Sequence, residues 1–391
     1  MIYFDNSATT PPCEAATAAA LGAMRETWGN PSSTHSAGLA ARRVKEAARR
    51  EIALSLGIKG ASSDKIIFTS GGTEANDLAI LGSVHSKERP FKGSSRGTVV
   101  ISDGEHASVA ACAAALEKEG FAIYRIPTVG GALDLDDLKR HVGGDIVLAS
   151  IMRVNNETGA IYDVRRAFDI IRAESPSAIL HTDCVQAYMK IPVVPFDLGA
   201  DMITLSAHKI FSVKGAGALY VSGGVIKKKA LTPLFFGGGQ EEGFRSGTEA
   251  IPAIASFGAA VSLGMKEQRE RTGLIAKIGE YALKKVGAIE GVRLNLPPER
   301  LPSILNLTVR GIKSETLLNY LSGEGICVSK SSACSSRSRE ISAALTAFGL
   351  PESDADSSIR LSFSHLNTED EIDRFCEVLT RGVGALARIR A

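Results

Sequence analysis

The chain has 391 residues, of which 44% are hydrophobic and 23% charged, with 39 glycines and a formal net charge of only +2. That balance describes a globular protein with a sizeable core and gives no electrostatic argument for a direct nucleic-acid partner or an anionic membrane surface. No run approaches the roughly 20 apolar residues of a membrane span, and the opening MIYFDNSATTPP carries an acid where a secretory signal has basic and apolar residues, so a cytoplasmic protein with no membrane association is expected.

In chain order, KIIFTS, TVVIS, DIVLASIM, AILHTD, DMITLSAH and GALYVS read as strands. Between them TEANDLAILGSVHS, ASVAACAAALEKEG and VRRAFDIIRAES carry apolar residues at helical spacing. This alternation predicts an α/β layer with a mostly parallel sheet, whose ligands gather at the carboxyl ends of the strands. The stretch AIASFGAAVSLGMKEQRERTGLIAKIGEYALKKVG reads as one long amphipathic helix or two. Beyond it SILNLTV, GICVS and SIRLSFS alternate with SETLLNYLSG, EISAALTAFG and TEDEIDRFCEVLTRGVGALARI. We expect a large domain over 15–258 and a smaller α/β domain formed by 1–14 and 259–391.

Three stretches carry chemistry. In FTSGGTEANDLAI a strand runs into Gly71, Gly72 and Thr73 and then a helix. Glycines allow close approach of an anion to the free N–H groups of a first helical turn, although an ordinary turn with Thr73 as N-cap is equally consistent. In LHTDCVQAYMKI, Asp183 ends an apolar strand, where it can hold a proton on a ring nitrogen or cap the next element, and Gln186 can donate to a phenolic oxygen. In DMITLSAHKIFSVKGAGALYV, Lys209 follows Ser206 and His208 at a strand end and is a candidate for covalent attachment of a carbonyl cofactor, against the commoner role of a solvated surface lysine. An anion cradle, an acid for a pyridinium nitrogen and a lysine after a strand are together what pyridoxal 5'-phosphate requires.

The six cysteines, Cys13, Cys112, Cys184, Cys327, Cys334 and Cys376, form no CxxC pair and no zinc-spaced cluster, so neither disulfides nor a metal site is expected. Cys334 is set apart from the rest. It lies in ICVSKSSACSSRSRE, with only Ala333 apolar nearby and with Lys330, Arg337 and Arg339 to favour a thiolate.

Over its whole length, from YFDNSATTPP and WGNPSSTH through TSGGTEANDLAI, EHASV, MRVNNETG, HTDCVQ, LSAHK, GGGQEEGFRSGT and SSACSS to SSIRLSFS, the chain resembles the cysteine desulfurases, class V aminotransferase-like enzymes of fold type I. The longer serine-rich loop is similar to that of the group containing the nitrogenase-type and iron–sulfur-assembly enzymes. The resemblance implies a pyridoxal-phosphate homodimer that converts L-cysteine to L-alanine and carries the sulfur as a persulfide on Cys334. It implies that Lys209 anchors the cofactor and acts as base, and that His106 stacks on the ring and takes part in proton transfer. By the same resemblance, Asn156 lies by the phenolic oxygen and the substrate carboxylate, while Asp183 and Gln186 hold the pyridine nitrogen and phenolic oxygen. Gly72, Thr73, Ser206 and His208 bind phosphate, Thr248 reaches across from the other subunit, and Arg360 clamps the α-carboxylate. The sulfur acceptor is expected to be a cluster scaffold or a tRNA-thiolation enzyme. The basic Lys330, where a small residue is expected, and the absence of a C-terminal extension leave that choice open. An aminotransferase or a selenocysteine lyase on the same fold is the nearest rival, and a catalytically degenerate assembly platform the next. Cys334 argues against an aminotransferase, and Lys209, Asp183, His106 and Cys334 together argue against a platform.

Overall fold

The computed structural model describes residues 1–58, 64–86, 96–330 and 341–388. The chain opens with a short strand, β1 (Ile2–Tyr3), and two helices, α1 (Glu14–Glu26) and α2 (Ser36–Ser55). Seven strands then build one sheet: β2 (Lys65–Thr69), β3 (Thr98–Ser102), β4 (Ala122–Ile126), β5 (Ile146–Ser150), β6 (Ile179–Asp183), β7 (Met202–Ser206) and β8 (Gly217–Val221). Helices α3 (Gly72–Val84), α4 (Ala107–Lys118), α5 (Leu135–His141), α6 (Val164–Glu174), α7 (Pro195–Leu198) and α8 (Gly223–Lys227) alternate with them. The sheet order is β2-β8-β7-β6-β5-β3-β4, and β8 alone runs against the others. The expected α/β class with a mostly parallel sheet is therefore what the chain forms.

Both faces of this sheet are covered, and the strands divide their residues between them with a period of two. Val100, Leu180 and Ile203 face one apolar core with Ile52 of α2 and Phe168 and Ile171 of α6. Their neighbours Val99, Ile101, Ile179 and Met202 face a second core with Leu78 of α3 and Val109 and Leu116 of α4. Helix α6 shows how the sequence sets this up: Val164, Ala167, Phe168 and Ile171 are its buried residues, at helical spacing, and Asp163 Oδ1 caps the start by accepting from Arg166 N at 3.2 Å.

One continuous helix, α9 (Ile251–Gly287), crosses to the rest of the molecule. Phe257 and Val261 in its first half pack in the first core, and Ile278, Ala282 and Val286 in its second half pack in a third. The third core lies on a four-stranded antiparallel sheet of order β12-β13-β10-β9, made by β9 (Val292–Leu294), β10 (Ile304–Val309), β12 (Ser329–Lys330) and β13 (Ser358–Ser362). Helix α10 (Ser314–Gly323) and strand β11 (Ile326–Cys327) precede β12, and α11 (Ala343–Ala347) and α12 (Glu352–Asp356) precede β13. Helix α13 (Glu369–Arg388) lays Ile372, Phe375, Val378 and Leu379 on this core. The N-terminus belongs to the same body. Strand β1 pairs with β11, and the Phe4 ring meets Phe363 and Phe375 edge-on at 5.3 and 6.0 Å. The segment then continues past Asp5 toward the carboxyl edge of the large sheet, where Thr10 N reaches His208 O at 2.9 Å.

Candidate active site

Because β2, β3, β5, β6 and β7 run the same way, the turns at their carboxyl ends gather Gly71–Gly72, Glu105–His106, Asn155–Asn156, Asp183–Gln186 and Ser206–Lys209 along one edge. Helix α3 begins there at Gly72, and its first intrahelical bond is Ala75 N to Gly71 O at 3.2 Å. The N–H groups of Gly72, Thr73 and Glu74 lie ahead of that bond and point out of the helix end. Ser206 Oγ is buried with no hydrogen-bond partner among the described residues. It sits beside Gly72, where an added Cβ would come within 3.9 Å of it. Thr73 is exposed in the same turn. His208 Nδ1 meets Thr9 Oγ1 at 3.1 Å, and burial, Lys209 and Lys214 push its imidazole down to about 4, which leaves the ring neutral at physiological pH. An orphaned hydroxyl, open helix N–H groups and a neutral histidine are a donor set that fits a phosphate.

The backbone packing around this cradle is tight. A Cβ on Gly217 of β8 would lie 2.5 Å from the Gly71 carbonyl carbon. Gly217→Ala must therefore displace the glycine turn, and we expect cofactor affinity to fall on the order of tenfold. Equilibrium dialysis against pyridoxal 5'-phosphate checks this, and unchanged affinity would show that the turn can move at no cost.

Asp183 is nearly buried, with 6% exposure, and each carboxylate oxygen has one donor: Val185 N at 2.9 Å and Asn76 Nδ2 at 2.8 Å. No helix follows Asp183, so the capping alternative takes the form of a turn bond to Val185. Two donors leave lone pairs for a further one, such as a ring N–H. Asn76 Nδ2 also reaches Ser108 Oγ at 2.9 Å, and Ser108 in turn offers its N–H and Oγ to His106 Nδ1 at 3.2 and 2.8 Å. A backbone N–H can only donate, so Nδ1 carries the lone pair and a neutral His106 holds its proton on Nε2.

Lys209 Nζ donates to the carbonyls of Ser7 at 2.5 Å and Ala8 at 2.8 Å. Gln186 Nε2 donates to the same Ser7 carbonyl at 2.9 Å, while its Oε1 accepts from Lys190 Nζ at 3.0 Å. The second N–H of the Gln186 amide is thus still available as a donor.

Arg360, 1% exposed, is the largest fully buried side chain among the described residues. Its Nη1 donates to Asn156 O and its Nη2 to Asp5 Oδ1, both at 2.8 Å, and its Nε is buried with no partner among the described residues. A buried arginine in an apolar strand requires such a partner, and Asp5, from the other end of the chain, supplies it. Of the two adjacent asparagines, Asn155 shapes the turn: its Oδ1 accepts from Glu157 N and Thr158 N, both at 2.9 Å. Asn156 keeps a half-buried side chain beside Arg360. Glu157 Oε2 accepts from Ser342 Oγ at 2.5 Å, and burial raises its carboxyl above the usual range.

The class-V aminotransferase family model matches residues 2–375. Over 393 aligned residues, covering 100% of this chain and 98% of the relative, the sequence is 39% identical to cysteine desulfurase IscS 1 of Archaeoglobus fulgidus. The chain belongs to the class-V aminotransferase family and, within it, to the cysteine desulfurases. Among solved structures, a NifS-like protein matches this desulfurase with a TM-score of 0.89 at 31% identity, covering 98% of this chain and 99% of the other. SspA in complex with cysteine matches with a TM-score of 0.80 at 28% identity, covering 94% and 100%. The desulfurase is a pyridoxal-phosphate-dependent enzyme, and the donors of Gly72, Thr73, Ser206 and His208, with Asp183 as an acceptor for a ring N–H, fit that group.

The edge thus brings together Gly72, Thr73, His106, Asn156, Asp183, Gln186, Ser206, His208 and Lys209, with Arg360 entering from β13. Thr248 lies apart, exposed on the turn that precedes α9. Cys334 and its arginine neighbours lie outside the described residues. The chain reaches that segment from β12, where Ser329 is paired directly with Arg360. No group of His, Cys, Asp and Glu able to hold a metal occurs among the described residues, and none of their helices is long and apolar enough to cross a membrane.

Sequence reasoning missed Glu105 of the EHASV motif. It lies under the site, where its Oε1 accepts from Ser102 Oγ at 2.6 Å and Met152 N at 2.8 Å, while Oε2 is buried with no partner among the described residues. Burial pushes its carboxyl up to about 8, with the Asp183 charge acting in the same direction. The folded protein therefore keeps a proton here that the unfolded chain gives up, and stability falls as pH rises from about 4.5 toward 8. Glu105→Gln keeps the acceptor oxygen without the ionisation. We expect it to gain stability over wild type across that window, measurable by urea unfolding at pH 5 and pH 8. An equal difference at both pH values would contradict a raised carboxyl.

Proposed function

We propose that this desulfurase converts L-cysteine to L-alanine and transfers the sulfur to Cys334 as a persulfide, for delivery to iron–sulfur cluster assembly or another thiolation acceptor. The observation that carries the reading is the meeting of an anion cradle, Asp183 and Lys209 at one sheet edge, with a buried arginine beside them. Pyridoxal phosphate, when bound, supplies an electron sink for the carbon bearing the substrate's amino group. The residues of the chain do the rest. Gly72, Thr73, Ser206 and His208 hold the phosphate. Asp183, oriented by Val185 N and Asn76 Nδ2, would accept the proton of the ring nitrogen. Gln186 would donate to the phenolic oxygen, and His106, with its proton on Nε2, would stand beside the ring. Lys209 would anchor the cofactor and serve as the base for the α-proton. Arg360 and Asn156 hold the substrate carboxylate, because a planar guanidinium meets a carboxylate through two charge-assisted bonds.

The sulfur step balances without a further reagent. The Cβ–S bond of cysteine breaks, a bond forms between that sulfur and Cys334 Sγ, the carbon is reduced to a methyl group, and the two sulfurs share the oxidation. Lysine and arginine neighbours in sequence favour the thiolate that attacks. The pairing of Ser329 with Arg360 brings the chain to the substrate carboxylate's partner two residues before the segment that carries Cys334.

The same reading makes the protein a cytoplasmic homodimer in which the exposed Thr248 completes the phosphate site of the partner subunit. It divides the chain into 15–258 and a smaller unit of 1–14 with 259–391. The third core and the β1–β11 pairing support that grouping, with the boundary falling inside α9. Incubation of the purified protein with L-cysteine and a thiol reductant is expected to release alanine and sulfide in equal amounts. Alanine without sulfide, or pyruvate in place of alanine, would exclude the desulfurase reading.

A further inference from the structure

Lys190 closes the turn after β6, seven residues beyond Asp183. Its Nζ donates to Gln186 Oε1 at 3.0 Å. An ammonium can only donate, so this contact fixes the amide, with oxygen toward Lys190 and NH2 toward the Ser7 carbonyl. That carbonyl lies 2.9 Å from Gln186 Nε2 and 2.5 Å from Lys209 Nζ. Lys190, Gln186, Ser7 and Lys209 therefore form one hydrogen-bonded chain, with a lysine at each end.

The two lysines also line one cleft, together with Arg271 of α9 and His365 just past β13. Neither nearby arginine leaves a carboxylate for Lys190, since Arg271 pairs with Glu267 and Arg360 with Asp5. Lys190 itself has no ion pair among the described residues. Burial first, then the Lys209 and Arg360 cations, push its ammonium down to about 7.

We propose that Lys190 is a positioning residue for Lys209: it sets the orientation of Gln186, and through it the Ser7 carbonyl that receives Lys209. An amine held in place attacks an aldehyde more readily, so Lys190 controls how fast the cofactor is taken up. This rests on the pyridoxal-phosphate reading of the site. The competing role is a lysine that only fills space between the turn and α9.

The test follows the rate of uptake of pyridoxal 5'-phosphate by cofactor-free wild type, Lys190→Met and Lys190→Arg, through visible absorbance, with the Tm of each cofactor-free protein as a control. In Lys190→Met the rate of uptake is expected to fall about tenfold, the loss that follows from a misplaced amine. Lys190→Arg keeps a charge and donors and should stay near wild type. An unchanged uptake rate in Lys190→Met, whatever its Tm, overturns the proposal, as does an arginine variant slowed as far as the methionine one. A wild type that takes up no cofactor would instead overturn the reading of the site itself.

Discussion

Lys209→Ala is expected to abolish the visible absorbance of the bound cofactor and to lower alanine formation at least about a thousand-fold. Two losses combine. The covalent anchor disappears, and so does the base for the α-proton, a role worth roughly 10²–10⁴ in rate by itself. Stability should change little. The variant removes a half-buried side chain that donates to the Ser7 and Ala8 carbonyls, and Ser7 O keeps its bond from Gln186. Absorbance titration, cysteine turnover and urea unfolding on one preparation separate these effects. Retained turnover would remove Lys209 from the mechanism.

Arg360→Ala should be damaging in both respects. Its guanidinium links Asp5 at the N-terminal end to the Asn156 carbonyl in the large sheet's turn. Truncation leaves Asp5 without its cation, and breaking a buried pair by removing one partner costs about 3–5 kcal/mol. The substrate carboxylate loses its fork as well, so kcat/KM for L-cysteine should drop on the order of 10²–10³-fold, corresponding to roughly 3–4 kcal/mol. Arg360→Lys should recover much of the stability and little of the cysteine affinity, since an ammonium neutralises Asp5 but cannot present two parallel donors. If the lysine variant matched wild type in KM, the bidentate role would be wrong.

Much of the site was legible because strand-end chemistry is local. Asp183, Ser206 and Lys209 stand at the ends of apolar runs whose β-branched residues predict strands, and the two-residue period that splits Val99 from Val100 is visible in the same text. The resemblance supplied what spacing could not: His106, Asn156, Thr248 and Arg360 are individually ordinary residues. Other features resist sequence reading for physical reasons. Helices α1 and α2 went unassigned because α1 is alanine-rich with few large apolar residues and α2 carries charged residues along most of its length. Strand β4 sits at the sheet edge with mixed burial and gives a weak pattern. The partnerships of Arg360 with Asp5 and of Lys209 with Ser7 join positions more than 200 residues apart, so only folding reveals them. Glu105 reads as a surface acid beside His106, and only its burial under the site shows that it holds a proton at neutral pH. Lys190 escapes notice for the same reason, as a lysine in a turn whose partner is an amide.

The central claim is that sulfur leaves cysteine onto Cys334. Intact-mass analysis after brief exposure to L-cysteine without reductant, beside a Cys334→Ala control, tests it most directly. The account predicts that wild type alone gains one sulfur atom, about 32 mass units, through the covalent step on its nucleophile. A gain by both proteins, or by neither while alanine is still released, would contradict it.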